Sequence, residues 1–220
     1  AFAFRNSIHE YVERRLLLAE RRDKMMLRRE RCKTFVYSIV PRKRAVTLSC
    51  IVPSSWHLSA PDHYSECSVV QMDISGFTKL STVVTADELV DIVNAVFTCI
   101  DHSADCIGKV WKVETVGDCY LALVGGPMPC KNHAYRATVL AMTIIECVTR
   151  VSERLQVPLR VRVGVHTGSV TAGIVGAHLP RYLIFGKDCS VASLMELHAE
   201  PGNVLISECT EQQLGGEWHC

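Results

Sequence analysis

Cys67-Ser68-Val69-Val70-Gln71-Met72-Asp73-Ile74-Ser75-Gly76-Phe77-Thr78 decides how this chain folds. Val69, Val70 and Met72 form the apolar run of a buried strand, which ends at Asp73. Gly76 follows, and a helix opens behind it. A second segment, Glu114-Thr115-Val116-Gly117-Asp118, repeats the theme of a carboxylate beside glycine at a strand end. Glycine lets backbone amides come close to a ligand. Two carboxylates converging on a glycine-bearing loop suit two hard divalent cations and a polyphosphate. Taken singly, Asp73 also reads as a helix cap and Asp118 as a hairpin-turn residue.

Working outward, residues 76–80 open a helix whose main body spans 86–107, with Leu89, Ile92, Val93, Val96, Phe97 and Ile100 on one face. Residues 110–116 and 119–124 alternate like a hairpin around Gly117-Asp118. Residues 132–155 form a second amphipathic helix. Residues 159–166 and 170–175 read as another strand pair around Thr167-Gly168. A short strand at 182–185, a helix at 189–198 and a strand at 203–207 complete the pass. The order β-α-β-β-α-β predicts an α/β fold, an α+β sandwich with a mainly antiparallel sheet.

Upstream, residues 7 to about 33 read as a helix with Asn6 or Ser7 as cap. Ile8, Tyr11, Leu18, Met25 and Cys32 follow coiled-coil spacing, with Arg15, Arg22 and Arg29 at the alternate seam positions. Arginines facing their own copies repel, so the seam suits an acidic partner helix. A solvated basic helix fits the stripe equally well. Residues 34–66, broken by Pro41, read as a transducing linker, and 67–220 as the main domain.

The 220 residues are 48% apolar, enough for a substantial core. Residues 1–44 hold thirteen Lys/Arg against five Asp/Glu, and the rest eleven against eighteen, so a basic arm precedes a mildly acidic body at a net +1. The arm has few interleaved aromatics, which argues against nucleic acid, and its helical character favours a partner helix or an anionic membrane surface. The eleven cysteines lack C-x-x-C or zinc spacing and read as reduced thiols in a cytoplasmic setting. No apolar run of membrane-spanning length occurs. There is no signal peptide, no initiating Met and an abrupt end at Cys220, so the chain reads as part of a longer protein.

These motifs together resemble the class III nucleotidyl cyclases, which make cyclic AMP or cyclic GMP. The resemblance rests on 73–78, Lys112 to Asp118, Arg162-Val163-Gly164-Val165-His166-Thr167-Gly168, and Pro180-Arg181-Tyr182 running into Phe185-Gly186. It covers roughly residues 34–210, and Tyr37-Ser38-Ile39-Val40-Pro41 is similar to the family's transducing segment. It implies the ferredoxin-like cyclase fold behind a coiled-coil-like signalling helix. It also implies two Mg²⁺ or Mn²⁺ ions on Asp73, Asp118 and the Ile74 carbonyl. Gly76, Phe77 and Thr78 amides and Arg162 would hold the triphosphate. Glu114 stands where the family reads the base and suits guanine, so GTP is favoured over ATP. The second base-reading position is Leu183, where the family carries Cys or Asp.

Two positions depart from the family. The helix after Gly186 should carry an asparagine for the ribose and an arginine for the α-phosphate; Ser190 and Leu194 stand there. Loss of such a donor costs ~10²–10³ in rate. A family lysine is expected beyond Cys220, and the family's closing strands are expected to be absent from these residues. The pattern resembles the metal-bearing subunit of heterodimeric guanylyl cyclases. The expectation is therefore a cyclase half-site needing a second subunit for Asn and Arg, with an upstream sensor or membrane domain. A catalytically weak regulatory pseudo-cyclase is the alternative.

Overall fold

The computed structural model describes the backbone of residues 2–48, 50–51 and 53–215, and the side chains from residue 14 onward within that range except Phe35, Ser38, Lys43, Pro53 and Ser54. The chain divides into two compact units, residues 1–53 and 54–220.

In the first unit, α1 spans Phe2–Ile39 and α2 spans Arg42–Leu48. The helix is longer at both ends than the 7–33 expected, and it runs through Asn6 and Ser7, which therefore do not cap it. No Gly or Pro interrupts residues 2–40, so nothing stops the helix before Pro41, where a proline restricts the residue ahead of it. Leu18 and Met25 are well exposed, as are Arg15, Arg22 and Arg29. The seam positions Ile8 and Tyr11 have side chains outside the described residues.

A 3₁₀ turn at Pro53–Leu58 precedes β1, Asp62–Ile74, the first strand of the second unit. The segment read as linker up to residue 66 is therefore partly structured. The strand pairs from Asp62 onward, with a bulge between Tyr64 and Cys67 that separates its two halves. Next come α3 (Phe77–Leu80), α4 (Ala86–Ile107), β2 (Val110–Val116), β3 (Cys119–Val124) and α5 (His133–Leu155). Then follow β4 (Val161–Val175), β5 (Arg181–Phe185), α6 (Lys187–His198), β6 (Val204–Ile206) and α7 (Glu208–Leu214). The sheet runs β2-β3-β1-β4-β5, antiparallel throughout, with β6 joining β4 in parallel.

Two expectations are corrected here. The helix expected to run on from Gly76 is two helices. Thr85 closes a capping box with Glu88, its Oγ1 accepting from the Glu88 amide at 3.3 Å while Glu88 accepts from the Thr85 amide at 2.8 Å. The strand pair around Thr167-Gly168 is one continuous strand. Gly168 pairs with Cys67 in the ladder. It is glycine because the Asp188 carboxylate occupies the place of a Cβ. The Asp188 carboxylate accepts from the Ser169 amide at 2.7 Å.

Strand alternation sorts the sheet into two faces. Val70, Met72 and Ile74 on β1 and Val161, Val163 and Val165 on β4 join Ile92, Val96 and Ile100 of α4 and Leu140, Ile144 and Val148 of α5 in the core. The intervening residues face α6. Gly164 lies beneath it so closely that an added Cβ would collide with backbone atoms of Ala192 and Glu196. The glycine of the Arg-Val-Gly-Val motif is therefore a seat for α6.

Candidate active site

Asp73 is the last but one residue of β1 and stands on the α6 face of the sheet. Directly across the ladder is Arg162 of β4. Arg162 Nη2 donates to Asp73 Oδ2 at 2.9 Å, and its Nε donates to Glu196 Oε1 of α6 at 2.9 Å. The chain turns at Gly76, whose φ of 76° is left-handed and whose Cα faces open space. The first amides of the helix beyond it, on Phe77 and Thr78, have no intrahelical acceptor. In the same loop, Ser75 Oγ is buried with no hydrogen-bond partner among the described residues.

Asp118 arrives from the β2–β3 turn, at which Gly117 has φ of 61°. Its carboxyl lies close enough to Asp73 and to the Ile74 amide for both to act on its protonation. Burial pushes the Asp118 carboxyl up, and the charge of Asp73 adds to the rise. Two neighbouring carboxyl groups repel when both are ionised. Glu196 is pushed up too, by burial first, with Arg162 opposing and the charges of Asp73 and Asp118 adding. The neighbouring Cys119 thiol is raised to about 12, by burial first and then by the charges of Asp73, Glu196, Asp118 and Glu114. Four carboxylates thus act on one thiol, which marks this end of the sheet as a locus of negative charge that a cation would relieve.

The β2–β3 hairpin is fixed from behind. Lys112 Nζ meets Asp101 Oδ2 of α4 at 2.7 Å, and Tyr120 donates to Asp101 Oδ1 at 2.9 Å. A register shift between Lys112 and Glu114 makes Val113 the extra residue of a bulge, which re-aims Glu114. Glu114 Oε2 lies 3.5 Å from Arg181 Nη1 of β5. Trp111 and Tyr182 meet edge to face at 6.2 Å between ring centroids. β2 and β5 are the opposite ends of the sheet order, so the sheet is coiled enough to bring them together. Arg181 lies two residues before Leu183, on the same strand face. Glu114 and Leu183 thus sit on approaching strands. Sequence reasoning missed Arg181 as a partner of Glu114. Its spacing from Leu183 was the available signal, but the sheet coil that completes the pair was not.

Ser190 and Leu194 lie elsewhere. α6 buries Ala192 and Glu196 against the sheet and holds Ser193 Oγ on Gln71 Oε1 at 2.7 Å. Ser190, Leu194 and Leu197 form the opposite, exposed face of the same helix. The two halves of the expected chemistry are therefore separated on one molecule: Asp73, Asp118 and Arg162 converge, whereas Ser190 and Leu194 face outward.

This arrangement fits a divalent cation of the Mg²⁺ or Mn²⁺ kind. The donors are hard oxygens, two of them neighbouring carboxylates. Among the described residues, no group of three or more His, Cys, Asp or Glu side chains is arranged to hold a metal on its own. A two-carboxylate site is the kind that leaves positions for water and substrate phosphates.

The sequence model of the adenylate and guanylate cyclase catalytic domain matches residues 60–219. The chain belongs to this family. The human guanylate cyclase soluble subunit beta-2 is 30% identical over 184 residues, covering 83% of this chain and 29% of that protein. The rat atrial natriuretic peptide receptor 2 is 32% identical over 203 residues, covering 90% of this chain and 19% of that protein. The chain thus spans under a third of the length of the curated relatives it matches. The guanylate cyclase domain of RhGC from Catenaria anguillulae, solved in complex with GTP, superposes with a TM-score of 0.67 at 31% identity, over 72% of this chain and 86% of that one. The mixed fold with its antiparallel sheet is that of a class III cyclase catalytic domain, guanylyl cyclase-like in its relatives. Among the described residues, no helix is long and apolar enough to cross a membrane.

Proposed function

We propose that this cyclase domain donates the metal half of a guanylyl cyclase active site and forms cyclic GMP and pyrophosphate from GTP. The observation that carries the reading is the convergence of Asp73, Asp118 and Arg162 at one sheet end, with Ser190 and Leu194 outside it on the exposed face of α6.

Asp73, Asp118 and the Ile74 carbonyl would hold two Mg²⁺ or Mn²⁺ ions. Bound there, the ions would supply Lewis acidity for the ribose 3′-hydroxyl and neutralise the triphosphate. The amides of Phe77 and Thr78 beyond Gly76 would donate to phosphate oxygens. Arg162 would bring a guanidinium to the triphosphate from the strand beside Asp73. The 3′-oxygen then attacks the α-phosphate in line with the departing pyrophosphate.

Leu194 has no hydrogen to donate to the α-phosphate, and Ser190 is shorter than the asparagine that orients the ribose elsewhere in the family. A second, non-identical cyclase subunit would provide both. At such a heterodimer's competent site, the partner reads the base; Glu114, Arg181 and Leu183 would face the other pseudo-site. Residues 1–33 would serve as a signalling coiled coil and 34–66 as the transducing linker to the 67–220 catalytic domain. Upstream would lie a sensor or membrane domain, with the catalytic part in the cytoplasm.

The test is cyclic-nucleotide production with Mn²⁺ and GTP or ATP, by this chain alone and mixed with candidate partner domains. Activity only in a mixture, lost with Asp73→Ala, is the expected outcome. Robust activity from this chain alone would sink the half-site reading. Silence in every mixture would favour a regulatory pseudo-cyclase, which the leucines at 183 and 194 also suit.

A further inference from the structure

Glu196 is a buried carboxylate that the proposed chemistry does not use. Its side chain is 8% exposed, against 27% for both Arg162 and Asp73. It stands on the inner face of α6, the helix whose close seat on β4 depends on Gly164. Its backbone is therefore pressed onto the strand that carries Arg162. Through Arg162 it reaches the metal carboxylate: one guanidinium gives Nε to Glu196 and Nη2 to Asp73, each at 2.9 Å. The remaining nitrogen, Nη1, has no hydrogen-bond partner among the described residues.

We propose that Glu196 is a positioning residue, which holds Arg162 beside Asp73 and so keeps Asp73 available to a divalent cation. This rests on the metal half-site proposed above. The guanidinium is a planar fork suited to bidentate pairing with one carboxylate. Left with Asp73 as sole partner, Arg162 would close both prongs on it and compete with the ion. Glu196 claims the Nε edge, so Asp73 receives a single prong. When a cation takes Asp73, Arg162 keeps its anchor on α6, and its terminal nitrogens are free to meet a phosphate.

A double-mutant cycle tests this, read as Mn²⁺ binding by electron paramagnetic resonance with the ion alone and the full chain. Glu196→Gln keeps the shape and removes the charge. With Arg162 present, it should weaken Mn²⁺ about tenfold. In an Arg162→Gln background it should change the affinity by less than about twofold. Glu196→Asp, which retains the charge on a shorter arm, should give an intermediate loss and provides the second variant if the glutamine folds poorly. Equal losses in both backgrounds would mean that Glu196 attracts the ion through its own charge, and would overturn the proposal. A lowered unfolding temperature with unchanged Mn²⁺ affinity would overturn it as well, since the ion pair would then serve the fold. Asp118→Ala separates the failures. It lies outside the Arg162 pairings and should abolish Mn²⁺ binding; if it does not, the metal half-site itself is wrong and the inference falls with it.

Discussion

The inner and outer faces of α6 carry different chemistry on a single helix of twelve residues. The inner face sets Glu196 against Arg162 and thereby against Asp73, in a site already provided with carboxylates. The outer face presents Ser190, Leu194 and Leu197 to solvent, and the first two stand where the family resemblance calls for an asparagine and an arginine. A helix turns about 100° per residue, so residues two apart, such as Leu194 and Glu196, serve nearly opposite sides. On the reading proposed above, a cyclase subunit keeps one half-site and loses the other without disturbing its fold, since Ser190 and Leu194 lie on the exposed face of α6.

The sharpest way to break this contrast is at the inner site. Asp73→Ala or Asp118→Ala should lower the activity of the competent complex by at least ~10³-fold, because metal stabilisation of developing charge is worth several kcal/mol. Cyclic-nucleotide assays at saturating Mn²⁺ would check it, and residual activity near the parent's would refute the metal role. The outer face gives the next effect, in the opposite direction. Ser190→Asn with Leu194→Arg should raise the activity of this chain on its own by ~10²-fold, by restoring a transition-state donor. No gain would show that more than these two positions separates the chain from a working homodimer.

A third substitution strikes the seat shared by both faces. Gly164→Ala pushes a methyl group into the backbone of α6 and should cost about 1–3 kcal/mol of stability, read as a lower unfolding temperature. Glu114→Lys sharpens the contrast by its small effect. If the partner reads the base at the competent site, this change leaves the GTP-to-ATP preference of the heterodimer unaltered. Added to the homodimer that carries Ser190→Asn and Leu194→Arg, the same change shifts the preference towards ATP.

The smallest effect tests whether the core beneath both faces acts independently of them. His133 is buried, with Nδ1 3.0 Å from Ser68 Oγ, and burial lowers its pKa from the ordinary 6.5. The unfolded chain therefore binds the proton more tightly, and stability is full above pH 6.5 and falls as pH drops below it. Thermal unfolding between neutral and mildly acidic pH should show this slope, and His133→Gln should flatten it without altering Mn²⁺ binding.

Much of the fold is legible in the chain because its signals are local. The hairpin at 110–124 is readable from alternation around Gly117-Asp118. The helix at 133–155 is readable from its apolar period. Thr85-Ala86-Asp87-Glu88 is a readable capping box, though Gly76 suggests an earlier helix start. The Thr167-Gly168 dipeptide misleads. A glycine there looks like a turn, but the reason for it is the Asp188 carboxylate, nineteen residues away from Ser169, which it caps. The long helix at Phe2–Ile39 exceeds its expected span at both ends, because Asn6 and Ser7 read as caps by residue type while no Gly or Pro interrupts residues 2–40.

Residue identities within short motifs were enough to give the family and to single out Asp73, Asp118, Glu114, Ser190 and Leu194 as the candidates for its chemistry. Tertiary structure decided what those residues meet. Cross-strand register set Arg162 opposite Asp73, the coil of the sheet carried Arg181 to Glu114, and the glycine seat under α6 delivered Glu196 to Arg162. These depend on contacts between residues far apart in the chain, which only closure of the sheet and docking of the helix bring within hydrogen-bonding distance.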